Sequence, residues 1–187
     1  MENTPEKKQA KPANPANELY QNVRTLATVL AVLILIFTFV VRIIVVSGPS
    51  MENTLFNGDA MVVWSLGYEP KQGDVVVLTQ PAYQEDSIVK RVIALGGQTV
   101  EINYDTHTVT VDGKLLAEPY IKEVMRAPSY NESNLRVTVP EGHLFVLGDN
   151  RNESADSRYP TIGTIDQRLV IGRALLVAFP FRHFGKL

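Results

Sequence analysis

The sequence contains no cysteine in 187 residues. This absence excludes a disulfide scaffold, a thiol nucleophile, and zinc or iron–sulfur sites that need cysteine ligands. Histidine is scarce as well, and no two histidines stand at the spacing of metal ligands. We therefore expect no metal and no other cofactor. The three histidines are His107, His143 and His183.

Neither positive nor negative charge is in large excess. Eighteen basic and twenty acidic side chains leave a formal net charge of −2, which argues against nucleic acid as a partner through net charge. Hydrophobic residues make up 45% of the chain and charged residues 20%, which is typical neither of a disordered protein nor of one embedded in a membrane throughout. The length predicts one globular domain with an appendage.

The appendage is a long apolar segment near the N-terminus. Every residue from Leu26 to Val41 is apolar or threonine, and four apolar residues follow Arg42. We predict a transmembrane helix over residues 25–46, whose apolar part spans about 31 Å, enough to cross a bilayer core. Arg42 would lie one turn from the helix end, where a long side chain reaches the lipid headgroups.

Two alternatives fit this segment less well. A cleavable signal peptide has a shorter apolar core and small residues at its exit, and a buried core helix is rarely apolar on every side over such a length. Residues 1–24 are predicted to be a disordered tail, and the basic residues Lys7, Lys8 and Lys11 place it in the cytoplasm. Residues 47–187 would then lie on the extracytoplasmic side of the plasma membrane.

Short runs of β-branched residues separated by turn residues fill the rest of the chain. Asp112-Gly113, between two such runs, is a strong signal for a two-residue hairpin turn, whereas residues 120–134 resemble an irregular insertion. We predict an all-β domain, a partly closed, coiled antiparallel sheet, behind a single N-terminal transmembrane helix. The predicted strands cover Asp74–Thr79, Ser87–Leu95, Thr99–Asn103, Thr108–Val111, Lys114–Leu116, Leu135–Val139, His143–Leu147 and Leu169–Phe179.

Ser50 is the most informative candidate nucleophile in a chain that lacks thiols. Gly48 and Pro49 fix a turn just before it, which would hold its hydroxyl on a stiff, exposed backbone. The octapeptide Gly48–Leu55 fits a plain linker beside the membrane equally well.

A lysine inside an apolar strand is the candidate base. Alternation places Lys90 on one face with Ile88, Val92 and Ala94, and places Arg91 on the other. Desolvation lowers the pKa of an amine from about 10.4 towards neutrality, which makes the amine usable as a general base. The alternative is an edge strand that its lysine protects from pairing with another chain.

The polar segment Gly148–Arg158 directly follows an apolar strand. Its acids and arginines interleave, and the pairs Asp149 with Arg151 and Asp156 with Arg158 suggest an ion-pair network. Such a network would orient a neighbouring amine. The ordinary alternative for such a segment is a solvated loop.

Four blocks of the chain together resemble the type I signal peptidases of bacteria, which are membrane-anchored serine proteases with a serine–lysine pair. The blocks, in the family's order, are Ser50–Leu55, Gly73–Val77, Lys90–Leu95 and Gly148–Arg158. The resemblance implies that Ser50 is the nucleophile and Lys90 the general base of a serine endopeptidase. It also implies that the substrates are exported preproteins, cut after small residues in an Ala-x-Ala pattern.

The resemblance implies supporting roles for residues near this pair. The hydroxyl of Ser154 would hold the lysine nitrogen, and Asp156 with Arg158 would form a buttressing ion pair. Asp149 and Arg91 occupy positions that shape the site. The expected partners are membrane-bound preproteins and the lipid bilayer. Candidates for the walls of the substrate site are Gly48, Pro49 and Met51.

The chain departs from the family pattern at several positions. Asn53 replaces a usual proline, which predicts a looser turn after Ser50, and Ala94 begins a stretch in which the family commonly has glycine. Some members have a serine at the position of Gly48 that donates to the oxyanion. Here the oxyanion would depend on the backbone N–H of Ser50.

Other functions remain open from the sequence. A histidine-based hydrolase would pair His143 with Asp149, although six strand residues separate them by about 20 Å. A self-cleaving repressor with the same serine–lysine pair fits poorly with a membrane anchor. Outside enzymes, the alternative is an inactive, membrane-tethered binding module, which would not cut an Ala-x-Ala precursor.

Overall fold

The computed structural model describes residues 15–80, 84–127 and 133–187. The chain divides into two units, residues 1–38 and 39–187. Helix α1, Pro15–Phe39, accounts for the described part of the first unit. The first fourteen residues of the predicted tail lie outside the described residues.

Helix α1 begins ten residues before the predicted transmembrane segment and ends seven residues before its predicted end. Pro15 suits the first position of a helix because its missing N–H is not needed there, and Glu18 favours the positive end of the helix dipole. The helix spans about 37 Å, none of its residues is buried, and it is long and apolar enough to cross a membrane. Residues 15–24 are therefore helical, and the prediction of a disordered tail is wrong for them.

The last part of the predicted anchor is a strand. Strand β1, Val41–Val45, pairs antiparallel with β2, Ala60–Trp64, and Arg42 lies opposite Val63 in this pair. The prediction of one helix as far as Val46 is therefore wrong, and Arg42 is not at a helix end. Valine and isoleucine dominate the segment, and pairing with β2 satisfies its backbone groups, so an extended conformation is favoured there.

Two antiparallel sheets make up the second unit, which confirms the predicted all-β class. The remaining strands are β3 Val75–Gln80, β4 Gln84–Leu95, β5 Thr99–Asn103, β6 Thr108–Val111, β7 Lys114–Leu115, β8 Leu135–Thr138, β9 His143–Leu147, β10 Ile165–Asp166, β11 Val170–Phe179 and β12 Gly185–Lys186. The larger, curled sheet has the order β1-β2-β11-β3-β4-β9-β10, with β12 paired to β11, and the smaller sheet has the order β7-β6-β5-β8. Strands β2, β10 and β12 and the division into two sheets were not predicted.

Three apolar cores pack against the sheets, and β4 contributes to all of them. Val89 belongs to the core that also contains Met51 and Leu55, while Ile88 and Val92 share a second core, as alternation predicts. The pairing of β4 with β9 shifts register after Val92. Ala94 therefore packs with Ile93 in the third core, between the sheets, and not on the predicted face. Two charged residues in the middle of the strand, Lys90 and Arg91, belong to none of these cores.

Candidate active site

Ser50 lies in a tight turn soon after the end of β1. The N–H groups of Thr54 and Leu55 both donate to the carbonyl of Met51, at 3.0 and 2.8 Å, and Met51 and Leu55 are buried in the core. Asn53 adopts a φ of +70°, a left-handed conformation that asparagine tolerates and that proline cannot adopt. Asparagine at position 53 therefore fits this turn and does not loosen it, because the hydrogen bonds to the Met51 carbonyl still close the turn.

Lys90 points from β4 towards this turn. Its Nζ lies 2.8 Å from Ser50 Oγ and donates to the carbonyl of Val89 at 3.0 Å. The residue is only 3% exposed. Among the described residues no carboxylate is hydrogen-bonded to this amine. The structure therefore brings together the two residues that the sequence singles out, although they stand forty positions apart.

Burial lowers the pKa of Lys90 from 10.5 to about 8, because a charged amine loses its hydration there. The positive charge of Arg158 acts in the same direction, and the carboxylates of Asp156 and Asp149 oppose it. About a tenth of the amine is consequently neutral at pH 7. This is the direction that an apolar strand predicts for its lysine.

Asp149 and Arg91 form the ion pair beneath the turn. Arg91 Nε and Nη2 donate to the two oxygens of Asp149 at 2.9 and 2.6 Å, and both residues are buried. The hydroxyl of Thr54 also donates to this carboxylate, at 2.5 Å. The expected pairing of Asp149 with Arg151 is wrong, because Arg151 reaches instead to Glu118. Adjacent loop residues point in different directions, and sequence proximity alone could not show this.

The segment Gly148–Arg158 is packed against the nucleophile turn rather than solvated. Asn150, which is fully buried, donates from its backbone N–H to the carbonyl of Ser50 at 3.0 Å and from Nδ2 to that of Pro49 at 3.1 Å. A side chain on Gly148 would collide with the Ser50 carbonyl and with Ser154. Glycine at this position thus allows the segment to approach the serine closely.

Asp156 and Arg158 form the ion pair that the interleaved charges predict. Arg158 Nε and Nη2 lie 2.8 and 2.9 Å from the two oxygens of Asp156, and both residues are buried. The carboxylate also accepts from the backbone N–H of Gly148 at 3.0 Å. Despite its burial, the pKa of Asp156 lies below its usual value because Arg158 and these hydrogen bonds favour the charged form. Ser154 is buried beside Asp156 but makes no hydrogen bond to Lys90, whose nitrogen is held by the Val89 carbonyl.

Residues 118–122 strap the turn to this segment, and sequence reasoning missed them. Glu118 accepts from Arg151, and the ring of Tyr120 lies 4.0 Å from the guanidinium carbon of Arg91. Lys122 donates to Glu52 at 2.7 Å and, through its backbone, to the carbonyl of Asp149. The strap comes from a region without periodic pattern, so that no signal in the sequence marks it.

A cleft of about 460 Å³ opens over Ser50 and Lys90. It runs between the end of β1 and the first half of β4. Lys90 and the exposed Glu153 are the ionisable residues among those described in its lining. The proposed wall residues all line it. The described lining comprises Ile44, Val45, Val46, Ser47, Gly48, Pro49, Ser50, Met51, Ser87, Ile88, Val89, Lys90, Glu153 and Ala155.

None of the three histidines contacts Ser50 or Lys90 in the described structure. His107 and His143 lie against the carbonyls of Met125 and Glu141, and His183 contacts Asp59. The described residues contain no group of three or more histidine, aspartate or glutamate side chains that could hold a metal ion. A histidine-based hydrolase therefore finds no support in the geometry.

A hydroxyl nucleophile against a buried amine defines a serine–lysine peptidase site. The family model "Signal peptidase, peptidase S26" matches residues 19–179. The "Probable signal peptidase I-1" of Synechocystis sp. (strain ATCC 27184 / PCC 6803 / Kazusa) is 40% identical over 80% of this chain and 76% of its own. The chain belongs to the signal peptidase family S26.

Two further relatives carry similar names. The "Signal peptidase I" of Bacillus licheniformis is 37% identical over 82% of this chain and 84% of its own. A signal peptidase I from Enterococcus faecalis V583, known from a crystal structure, is 33% identical in sequence to this chain. The match covers 57% of this chain and 97% of the Enterococcus chain, with a TM-score of 0.46. Family membership follows from the sequence matches alone.

Proposed function

We propose that this chain is a signal peptidase I that cuts exported preproteins through an acyl-enzyme on Ser50, with Lys90 as general base. Membership of the family supports the removal of signal peptides. The observation that carries the assignment of roles is the 2.8 Å contact between Lys90 Nζ and Ser50 Oγ, together with the lowered pKa of the amine.

The chemistry begins with neutral Lys90, which takes the proton of the Ser50 hydroxyl as the oxygen attacks the scissile carbonyl. The protonated amine then gives this proton to the leaving amine, and an acyl-enzyme remains. Water then attacks the ester while Lys90 takes a proton from it. The bond between Ser50 Oγ and the acyl carbon breaks, the protonated amine returns this proton to Ser50 Oγ, and the acid product leaves. Two buried ion pairs do not contact the reacting atoms, and we assign to them the positioning of the backbone around Ser50 and Lys90. These ion pairs are Arg91 with Asp149 and Arg158 with Asp156.

The oxyanion is assigned to the backbone N–H of Ser50. This N–H donates to no described residue, so it is available to a developing negative charge. The N–H of Gly48 is not available, because it donates to Asn57 Oδ1 at 3.0 Å. Gly48 therefore serves the shape of the cleft, with a φ of +90°.

Two strand edges that have no neighbouring strand in the described part of the chain border the cleft, and they favour an extended substrate. Strand β1 lies at the end of the large sheet and pairs only with β2. Strand β4 begins to pair with β9 at Arg91, so the part of β4 before Arg91 does not pair with β9. Residues 88–90 pair with β3 on their other side, and on the side of the cleft their backbone has no neighbouring strand among the described residues, so a peptide strand could pair there. The opposite wall of the cleft contains Gly48, Pro49 and Met51. The space beside them fits small substrate side chains, such as the two alanines of an Ala-x-Ala site.

The family and the apolar helix indicate a membrane-anchored protein. We assign to it a single pass through the plasma membrane, a cytoplasmic N-terminus and an extracytoplasmic peptidase domain. Three exposed phenylalanines near the C-terminus would contact the lipid bilayer. These residues are Phe179, Phe181 and Phe184.

The test is cleavage of a preprotein with an Ala-x-Ala site by the full chain in detergent micelles. Wild-type protein should release the signal peptide, and Ser50→Ala should abolish release while its thermal unfolding midpoint stays within a few degrees. His143→Ala, a control outside the cleft, should keep nearly full activity. Binding without cleavage by the wild type would favour the tethered binding module instead.

A further inference from the structure

One wall of the cleft is built from chain that has left the sheet. We name residues 46–48 the wall segment and residues 57–59 the brace loop. Val46 exchanges two backbone hydrogen bonds with this loop, of 2.8 and 2.9 Å, and the N–H of Gly48 donates to Asn57 Oδ1 at 3.0 Å. The wall segment lines the cleft, so the brace loop determines the position of that wall.

The brace loop is itself fixed by a buried carboxylate. Asp59 is 1% exposed, and its Oδ2 accepts the backbone N–H of Phe56 at 2.9 Å. Its Oδ1 lies 2.7 Å from Nδ1 of His183. Among the described residues His183 is the only side chain that hydrogen-bonds to this carboxylate. Because a buried carboxylate that loses a hydrogen bond is strongly destabilised, the loop depends on this histidine.

His183 reaches the loop from the opposite end of the chain, 124 positions away. It ends the short 3-10 turn Phe181–His183, and β12, which follows, pairs with β11 of the large sheet. The imidazole packs on the ring of Phe56 with centroids 4.8 Å apart. Since a carboxylate only accepts, Nδ1 carries the hydrogen. The histidine is thus tied to the sheet on one side and to the brace loop on the other.

We propose that His183 is a positioning residue for substrate binding: through Asp59 and the brace loop it holds the wall segment in place. This inference rests on the proposed function of the cleft. The contacts that hold the Ser50–Lys90 pair come from Val89 and from the segment Gly148–Arg158 and do not pass through the brace loop. Loss of the His183 hydrogen bond should therefore weaken substrate binding and spare the chemical step.

Two variants separate the hydrogen bond from the ring. His183→Phe keeps an aromatic ring against Phe56 and removes the donor, and we expect KM for an Ala-x-Ala preprotein to rise about tenfold, with kcat within about twofold. His183→Asn places an amide nitrogen near the position of Nδ1, and KM should return to within about threefold of the wild type. The assay uses the full chain in detergent micelles.

His143→Phe is the matched control, because among the described residues the ring of His143 is hydrogen-bonded only to the carbonyl of Glu141, two positions away, and His143 is not part of the described lining of the cleft. Its KM should equal that of the wild type. An unchanged KM in His183→Phe, a loss confined to kcat, or no recovery in His183→Asn would overturn the role of His183. If His183→Phe lacks a cooperative unfolding transition, His183→Gln, whose amide lies nearer to Nε2, replaces it with the same expected KM. Failure of the wild type to cut would refute the proposed function instead.

Discussion

Replacement of Lys90 by methionine should abolish cleavage and at the same time stabilise the fold near neutral pH. The amine is 3% exposed, and its pKa is lowered from 10.5 to about 8. Below pH 8 the folded protein therefore holds a charge that it solvates poorly, whereas the unfolded chain holds the same charge in water. Methionine has a similar volume and carries no charge, so it removes this cost.

The size of the effect follows from the difference in pKa. A difference of about 2.5 pKa units corresponds to about 3 kcal/mol in the free energy of unfolding. Below pH 8 the wild type is less stable by this full amount. Between pH 8 and 10.5 the unfolded state binds more protons than the folded state, so that the stability of the wild type rises with pH. The advantage of Lys90→Met should therefore be about 3 kcal/mol at pH 6 and below about 1 kcal/mol at pH 10.

Thermal unfolding of the full chain in detergent, for both proteins from pH 6 to 10, measures this difference. At pH 6 the variant should unfold about 6–12 °C higher than the wild type, and the two midpoints should converge as the pH rises. A variant that is no more stable than the wild type at pH 6, or a difference that does not change with pH, would refute a desolvated lysine. Lys122→Met, at an exposed amine, is the control and should not show this dependence.

The same amine should set the acid limb of activity. With a pKa of about 8, kcat/KM for the preprotein should fall about 50-fold from pH 8 to pH 6; a limb near pH 5 would point to a carboxylate base instead. At Asn53, where φ is +70°, Asn53→Pro should destabilise the chain by more than about 1 kcal/mol and impair cleavage, while Asn53→Gly should be nearly neutral. Unfolding and activity assays check both, and a fully active, stable Asn53→Pro would contradict the left-handed turn.

The parts of the fold that the sequence predicts are those in which local pattern and tertiary packing agree. The hairpin at Asp112-Gly113 and strands β5, β6 and β9 have the predicted bounds, since alternation and turn chemistry both act locally there. The segment Val41–Val45 shows the opposite case. Its apolar side chains fit a membrane helix as well as a strand, and only pairing with β2, which lies further along the chain, decides between the two.

Candidate residues at the site divide in the same way. Ser50 and Lys90 stand out because a serine behind Gly-Pro and a lysine among valines are locally unusual. Asp59 and His183 do not stand out, since their pairing joins distant parts of the chain and neither lies in a distinctive motif. Ion-pair partners are equally hidden: Arg151 is two residues from Asp149 but contacts Glu118, because rotation of the backbone between neighbours sets the direction of each side chain.

The charges around the serine–lysine pair explain why one lysine loses its proton in a site that is rich in ionic groups. Each of three buried arginines contacts its own carboxylate, so their charges largely cancel and their hydrogen bonds fix the backbone. Desolvation therefore remains the largest influence on the pKa of Lys90. A carboxylate in contact with this amine would keep it charged and remove the base. The pairs that satisfy the arginines are Arg91 with Asp149, Arg151 with Glu118, and Arg158 with Asp156.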